Sequence, residues 1–334
     1  MWCDFLGISL RRCLVAENTK IQWATHTWSP HRGCAKISPG CANCYAERGS
    51  HRNPGLFGVW GVNGNRVINA DWDKPLAWDR KAAKLGERHR VFPSLCDPFE
   101  DREDLDGSRS RLLELISKTP NLDWLLLTKR PENWRPLMQR LANAGVSDGD
   151  CLAGDWLAGN PPANVWLGVS VENQEYADKR LPILLQIPAA IRWVSYEPAL
   201  GLVDFKPHIW DIDWIVCGGE SGPRARPFDL RWAEAARDQC KETDVLFFMK
   251  QAGSRPIMSS DEANPIKRAV CEKYNAGWIE RHITDPKGGA IEEWPEDLRV
   301  REIPVVGATP AEIKKAEAKG MPLFDSTEKE TGLE

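Results

Sequence analysis

Three cysteines share one short polar stretch, Gly33-Cys34-Ala35-Lys36-Ile37-Ser38-Pro39-Gly40-Cys41-Ala42-Asn43-Cys44-Tyr45, spaced C-x6-C-x2-C. Gly33, Pro39 and Gly40 permit the sharp turns that bring three thiols together. The stretch has too little apolar content to be the interior of a helix or a strand. Two metal chemistries suit the pattern. Three thiolates can hold three irons of a [4Fe–4S] cluster and leave the fourth iron open to a ligand. Alternatively, His31, three residues before Cys34, completes a tetrahedral Cys3His zinc site. Spacing alone does not choose between them.

The elements that must position this loop read as alternating strands and helices. Five apolar runs each end abruptly in polar or glycine-rich residues: Leu122–Leu127, Val165–Val171, Ile191–Val194, Trp214–Cys217 and Val245–Met249. A sixth, weaker run is Val91–Cys96. Near-continuous apolar runs predict strands buried on both faces, as in a parallel sheet. Helical spacing of apolar residues predicts helices over Arg109–Ser117, Tyr176–Leu185 and Leu230–Glu242. The alternation predicts an α/β fold built from βα units, a partial (β/α)6-like barrel of parallel strands in the TIM style. Active sites of such folds lie at the C-terminal ends of the strands. Residues 1–18 read as an N-terminal extension and 19–304 as the barrel domain. Residues 143–163, rich in Gly, Ala, Asp and Pro, read as a loop or insertion, and 305–334 as a charged, disordered tail.

The polar residues at the expected strand ends form the candidate rim. Lys129, Arg130, Glu172, Asn173, Glu197, Lys250 and Gln251 all fall there, where a charge is costly to bury unless paired or bound to ligand. They are expected to line a cavity. The competing arrangement is an ion-pair ring joining Glu197 or Glu172 to Lys129 or Lys250. Cys217 and Cys96 lie in expected strands, where the plain reading is a small buried hydrophobe.

Composition bounds the function. The 334 residues carry 44 Lys+Arg and 48 Asp+Glu, a net charge of −4. Any contact with nucleic acid must therefore come from a local basic surface. Arg48, His51 and Arg52 follow the cysteine loop, and Arg224, Arg226 and Arg231 follow Gly222 with Phe228 and Trp232 interleaved; this suits a phosphate-bearing substrate. No apolar run approaches the ~20 residues of a membrane helix. Arg11 and Arg12 interrupt the apolar N-terminal stretch, which argues against a secretory signal. Ten cysteines at irregular spacing then point to reduced thiols in the cytoplasm. The sixteen tryptophans are expected to pack the core or to stack on bases.

The cysteine loop ahead of βα units resembles radical S-adenosylmethionine (SAM) enzymes, with three extra residues in the first gap relative to their common C-x3-C-x2-C pattern. A closer resemblance is to an uncharacterised radical-SAM-like family found mainly in phages and prophages, often encoded beside a three-Cys-motif partner protein. The similar segments include Thr27-Trp28-Ser29-Pro30, Leu127-Thr128-Lys129-Arg130-Pro131-Glu132-Asn133, Trp166-Leu167-Gly168-Val169-Ser170-Val171-Glu172-Asn173, Ser195-Tyr196-Glu197-Pro198, Gly218-Gly219-Glu220-Ser221-Gly222 and Lys250-Gln251-Ala252-Gly253. The resemblance implies that Cys34, Cys41 and Cys44 hold a [4Fe–4S] cluster that reductively cleaves SAM. Tyr45, Ser94, Asp97, Glu172, Asn173, Gly218, Gly219 and Glu220 become candidate SAM contacts. Lys129, Glu197, Lys250 and Cys217 become candidate catalytic groups, with Cys217 or Cys96 as a hydrogen-atom donor to a substrate radical. The substrate expected by fold analogy is a nucleic acid or nucleotide. The rival is a zinc-binding, non-catalytic nucleic-acid-binding or adaptor protein of a phage-encoded complex.

Overall fold

The computed structural model describes residues 16–145, 147–259, 278–280 and 284–305. Its centre is an eight-stranded sheet: β1 (Ala16–Glu17), β2 (His26–Thr27), β3 (His89–Phe92), β4 (Leu122–Thr128), β5 (Val165–Ser170), β6 (Ile191–Tyr196), β7 (Trp214–Gly218) and β8 (Leu246–Gln251). The strands lie side by side in chain order. β1 runs antiparallel to β2, and every later pairing is parallel. The sheet curls into a half-barrel. The six apolar runs identified in the sequence are β3 to β8. The edge pair β1 and β2, two residues each, is too short to give a periodic signal.

Seven helices of eight residues or more accompany the sheet among the described residues: α1 (Tyr45–Arg52), α2 (Asp73–Leu85), α3 (Asp106–Ser117), α4 (Trp134–Ala144), α5 (Asp148–Leu157), α6 (Gln174–Leu184) and α7 (Leu230–Glu242). Helix α5 corrects the expectation of a loop over 143–163. Ser147 Oγ accepts from Asp150 N and Asp150 Oδ2 accepts from Ser147 N, both at 3.1 Å, so a capping box starts the helix. A Cβ on Gly149 would lie 1.9 Å from the Ser110 carbonyl oxygen. The glycine that reads as a turn signal is there because α3 and α5 touch backbone to backbone. Residues 1–15 and 306–334, the bulk of the expected extension and tail, lie outside the described residues. No helix among the described residues is long and apolar enough to cross a membrane.

Alternation along the strands sorts the core into two layers. Leu126, Leu167, Val169, Val194, Ile215, Cys217 and Met249 face the helices, against Leu112, Ile116, Leu137, Leu181, Leu184, Ala233 and Ala236. Leu125, Trp166, Trp193, Trp214, Val216 and Phe248 face the concave side, where Trp23 joins them. The indoles meet edge to face, Trp23 with Trp193 at 5.4 Å and Trp166 with Trp214 at 6.1 Å between centroids. Gly168 admits Trp193: a Cβ there would come within 2.4 Å of the indole. Most of the tryptophans thus serve as core, and this aromatic plug fills the half-barrel below the strand ends.

One buried pair gives the outer strands a pH response. His26 Nε2 and His89 Nδ1 lie 3.0 Å apart across β2 and β3, and the His26 ring stacks on Trp78. Burial, then the neighbouring His89, push His26 down to about 4, with Glu17 opposing. The unfolded chain, with an ordinary histidine near 6.5, therefore binds the extra proton as pH falls from 6.5 towards 4, and stability declines across that window. Unfolding free energies from urea titrations between pH 7 and 4 will fall with a slope of up to ~1.4 kcal/mol per pH unit from this site. His26→Gln will flatten the profile, and an unchanged slope would refute the assignment.

Candidate active site

A cavity of about 280 Å³ opens at the C-terminal ends of the parallel strands. Trp23, Phe92 and Leu127 form its floor, continuous with the aromatic plug. Ser170, Ser195, Glu197 and Lys250 reach it from the ends of β5, β6 and β8, all on the inward phase of their strands. The other side is the cysteine loop: Cys34, Cys41, Cys44 and Tyr45 all line the cavity.

Carboxylates from the sheet hold this loop in place. Ala35 N donates to Glu100 Oε1 at 3.1 Å, and Glu100 is clamped by Arg66 at 2.6 and 2.7 Å. Ser38 Oγ donates to Glu172 Oε1 at 2.6 Å. A Cβ on Gly40 would lie 2.5 Å from that same oxygen, so only glycine lets the loop cross Glu172. Asn43 Nδ2 donates to Glu220 Oε2 at 2.8 Å, and Arg226, which pairs with Glu220 at 2.7 Å, also donates to the Pro39 carbonyl at 2.9 Å. Gly33, at φ +110°, begins the loop. Arg130 donates to the Ala35 carbonyl at 2.7 Å and lies 3.6 Å from Cys34 Sγ.

The ion pairs anticipated at the strand ends form. Lys129 pairs with Glu172 at 2.6 Å and Lys250 with Glu197 at 2.9 Å. Glu172 is fully buried and also takes Arg180 at 2.8 Å. Burial alone would raise its carboxyl; Lys129 and Arg180 outweigh that and hold it below the usual range. Glu220 is likewise held low by Arg226 and Asn43 against the pull of burial. Burial and Asp97 push the Cys34 thiol up to about 12, against the opposing Arg130 charge. Burial also raises Cys44.

Eleven of the anticipated residues come together here. Besides the three cysteines and Tyr45, these are Ser94, Asp97, Lys129, Glu197, Gly219, Glu220 and Lys250. Tyr45 Oη donates to the Ser94 carbonyl at 2.8 Å, which ties the two together. Asp97 is engaged by protein: it accepts from Thr128 Oγ1 and Arg130 Nη1, both at 2.7 Å, and from the Lys129 and Phe99 amides at 3.0 Å.

Four anticipated residues lie outside the cavity lining. Glu172 is beneath the loop it anchors. Asn173 caps α6 by accepting from Tyr176 N at 3.3 Å. Gly218 makes room for Glu197, whose Oε1 would sit 2.8 Å from an added Cβ. Cys217 points the other way: one residue out of phase with Val216, it faces the helices, fully buried, and burial holds its thiol protonated. It cannot meet a molecule in the cavity; Cys96, by contrast, lines it. His31 also lies apart. Both its ring nitrogens are buried without a partner, and burial, then Arg109 and Arg66, push it down to about 3. His31 is not among the residues that line the cavity beside the three cysteines. Among the described residues no three His, Cys, Asp or Glu side chains converge tightly enough for a single ion.

Sequence reasoning missed Glu100, Arg66 and Arg180 as anchors, because nothing local marks a charge whose partner is 34 residues away, as with Arg66 and Glu100.

A family model described as a protein of unknown function (DUF5131) matches residues 18–292. The chain belongs to this family. No curated protein matches it. Among solved structures, this DUF5131 member is similar to spore photoproduct lyase complexed with dinucleoside spore photoproduct. The two are 14% identical over 82% of this chain and 67% of that one, at a TM-score of 0.38. It is also similar to a double mutant of that lyase with bound AdoMet and dinucleoside spore photoproduct, at 15% identity, 83% and 67% coverage and a TM-score of 0.39.

Two substitutions separate anchor from bystander. Glu172→Ala strands the buried Arg180 and the half-buried Lys129 and will lower the unfolding free energy by about 3 kcal/mol in urea titration. Cys217→Ala will cost about 1 kcal/mol by loss of packing. A cost as large as that of Glu172→Ala would contradict its role as a bystander.

Proposed function

We propose that this chain is a radical-SAM-like iron–sulfur enzyme acting on a nucleic acid or nucleotide. One observation carries the reading: three thiols from a single loop line one cavity at the C-terminal strand ends of a parallel half-barrel.

The donor set fits a [4Fe–4S] cluster. Cys34, Cys41 and Cys44 are half-buried, their thiols are not joined in disulfides, and all three line the cavity. A cluster spreads its ligands wider than one zinc ion does, which suits thiols that share a cavity without converging on a point. Arg130, held by Asp97, lies 3.6 Å from Cys34 Sγ and orients it. When bound, the cluster supplies the electron for reductive cleavage of SAM.

The chain's own residues have distinct parts. Tyr45, fixed by its bond to Ser94, offers an aromatic face for adenine. Ser94, Gly219 and Glu220 border the space for the SAM amino-acid and ribose groups. Glu220 has most of its acceptor capacity filled by Asn43 and Arg226, so it acts on SAM chiefly through the loop it holds. Lys129, Lys250 and Glu197 present a charged wall to the substrate, and the aromatic floor keeps water from below.

Anaerobic reconstitution of the isolated chain with iron and sulfide tests this. The expected result is a brown protein with about four irons per chain that releases 5′-deoxyadenosine from SAM under reduction. Single Cys34→Ala, Cys41→Ala and Cys44→Ala variants will lose both properties. A colourless wild-type protein carrying stoichiometric zinc would defeat the reading. Activity of the isolated chain would also remove any need for a three-Cys-motif partner protein.

A further inference from the structure

The cations around the cavity differ in one respect. Lys129, Lys250 and Arg130 are neutralised by Glu172, Glu197 and Asp97, and Lys36 by Glu47 at 2.7 Å. Arg226 and Arg231 are taken by Glu220 and Asp229. Arg48 lines the same cavity, yet among the described residues its guanidinium has no hydrogen bond or ion pair.

Its position is built. Arg48 lies one helical turn beyond Cys44, whose carbonyl accepts the Arg48 amide at 3.3 Å. The guanidinium passes over Gly222, at φ +110°, where a Cβ would come within 2.8 Å of Nη1. Two residues further on, Arg224 is exposed and its side chain is likewise unpartnered among the described residues. The Arg224 carbonyl is tied to Asn43 of the cysteine loop at 2.8 Å. Two basic segments some 175 residues apart in the chain thus put one unneutralised guanidinium, Arg48, in the cavity lining and the backbone of a second basic residue, Arg224, against the lining residue Asn43, on a protein of net charge −4. Trp60 adds an indole to the lining.

We propose that Arg48 and Arg224 contact phosphates of the substrate, and that the substrate is a single nucleic-acid strand laid across the cavity mouth. A guanidinium matches a phosphate in a forked pair of hydrogen bonds, and two of them fit successive phosphates of a diester chain better than one free nucleotide. The aromatic lining receives a base. The cavity is at the small end for ligand sites, so one nucleotide enters at a time and a duplex would have to present a flipped base. The proposal rests on the cavity being the active site, but not on the cluster chemistry.

The test is fluorescence anisotropy of the full chain with a labelled single-stranded thymidine oligonucleotide. Wild type should bind it. Arg48→Ala and Arg224→Ala should each weaken binding about tenfold and reduce the slope of log K against log salt by about 0.7. Arg48→Lys should restore part of the affinity, and an uncharged methylphosphonate oligonucleotide should bind weakly and equally to all variants. Absence of binding by wild type, a double alanine variant that binds as well as wild type, or equal competition by thymidine monophosphate would each overturn the proposal. If wild type binds the strand through these arginines but never cleaves SAM, the cofactor reading fails and this one stands. If it cleaves SAM but binds the strand independently of the arginines, this one fails and the cofactor reading stands.

Discussion

A loop with almost nothing apolar to bury is held in place by carboxylates. Glu100, Glu172 and Glu220 follow β3, β5 and β7, and each accepts a hydrogen bond from a different part of the cysteine loop. Each is itself fixed by an arginine, Arg66, Arg180 and Arg226 in turn. Buried charge of this kind contributes little net stability compared with apolar packing, since desolvation offsets the attraction. What it provides is position. A hydrophobic contact tolerates a sliding loop, whereas a carboxylate with two or three directed donors does not.

The same carboxylates explain why the cavity is less basic than its lysines and arginines suggest. Lys129 and Arg130 are adjacent in sequence, and both are spent on the protein, one on Glu172 and one on Asp97. The apparent excess of positive charge at the strand ends is structural. Among the described residues around the cavity, Arg48 on α1 and Arg224 on the turn after β7 lie beyond the reach of these carboxylates.

Much of this was legible in the residues. The six apolar runs became six adjacent parallel strands, α7 spans the residues its spacing predicted, and the cysteine spacing led to the cavity wall. Ion pairing among the strand-end charges followed from the expense of burying them alone. Elsewhere local signals misled. Gly149 looks like a turn and is a helix-to-helix contact. Cys217 ends a strand next to the glycines of the rim, but its facing depends on register, and a one-residue step turns it from the cavity to the core. Glu172 and Asp97 have the chemistry of ligand contacts; only their three-dimensional partners show that protein donors already occupy them. Position along the chain reports which end of a strand a residue occupies, and long-range contacts decide what it may still bind.

The spacing of the loop's anchors has a consequence for how the protein is made. Ser38 is 134 residues from Glu172, and Asn43 is 177 from Glu220. As a nascent chain emerges, the thiols appear first, while the groups that orient them are still unsynthesised. Closure of such distant contacts comes late in folding. Assembly of the three-thiol wall is thereby coupled to completion of the sheet as far as β7, and until then the three thiols lack the contacts that orient them.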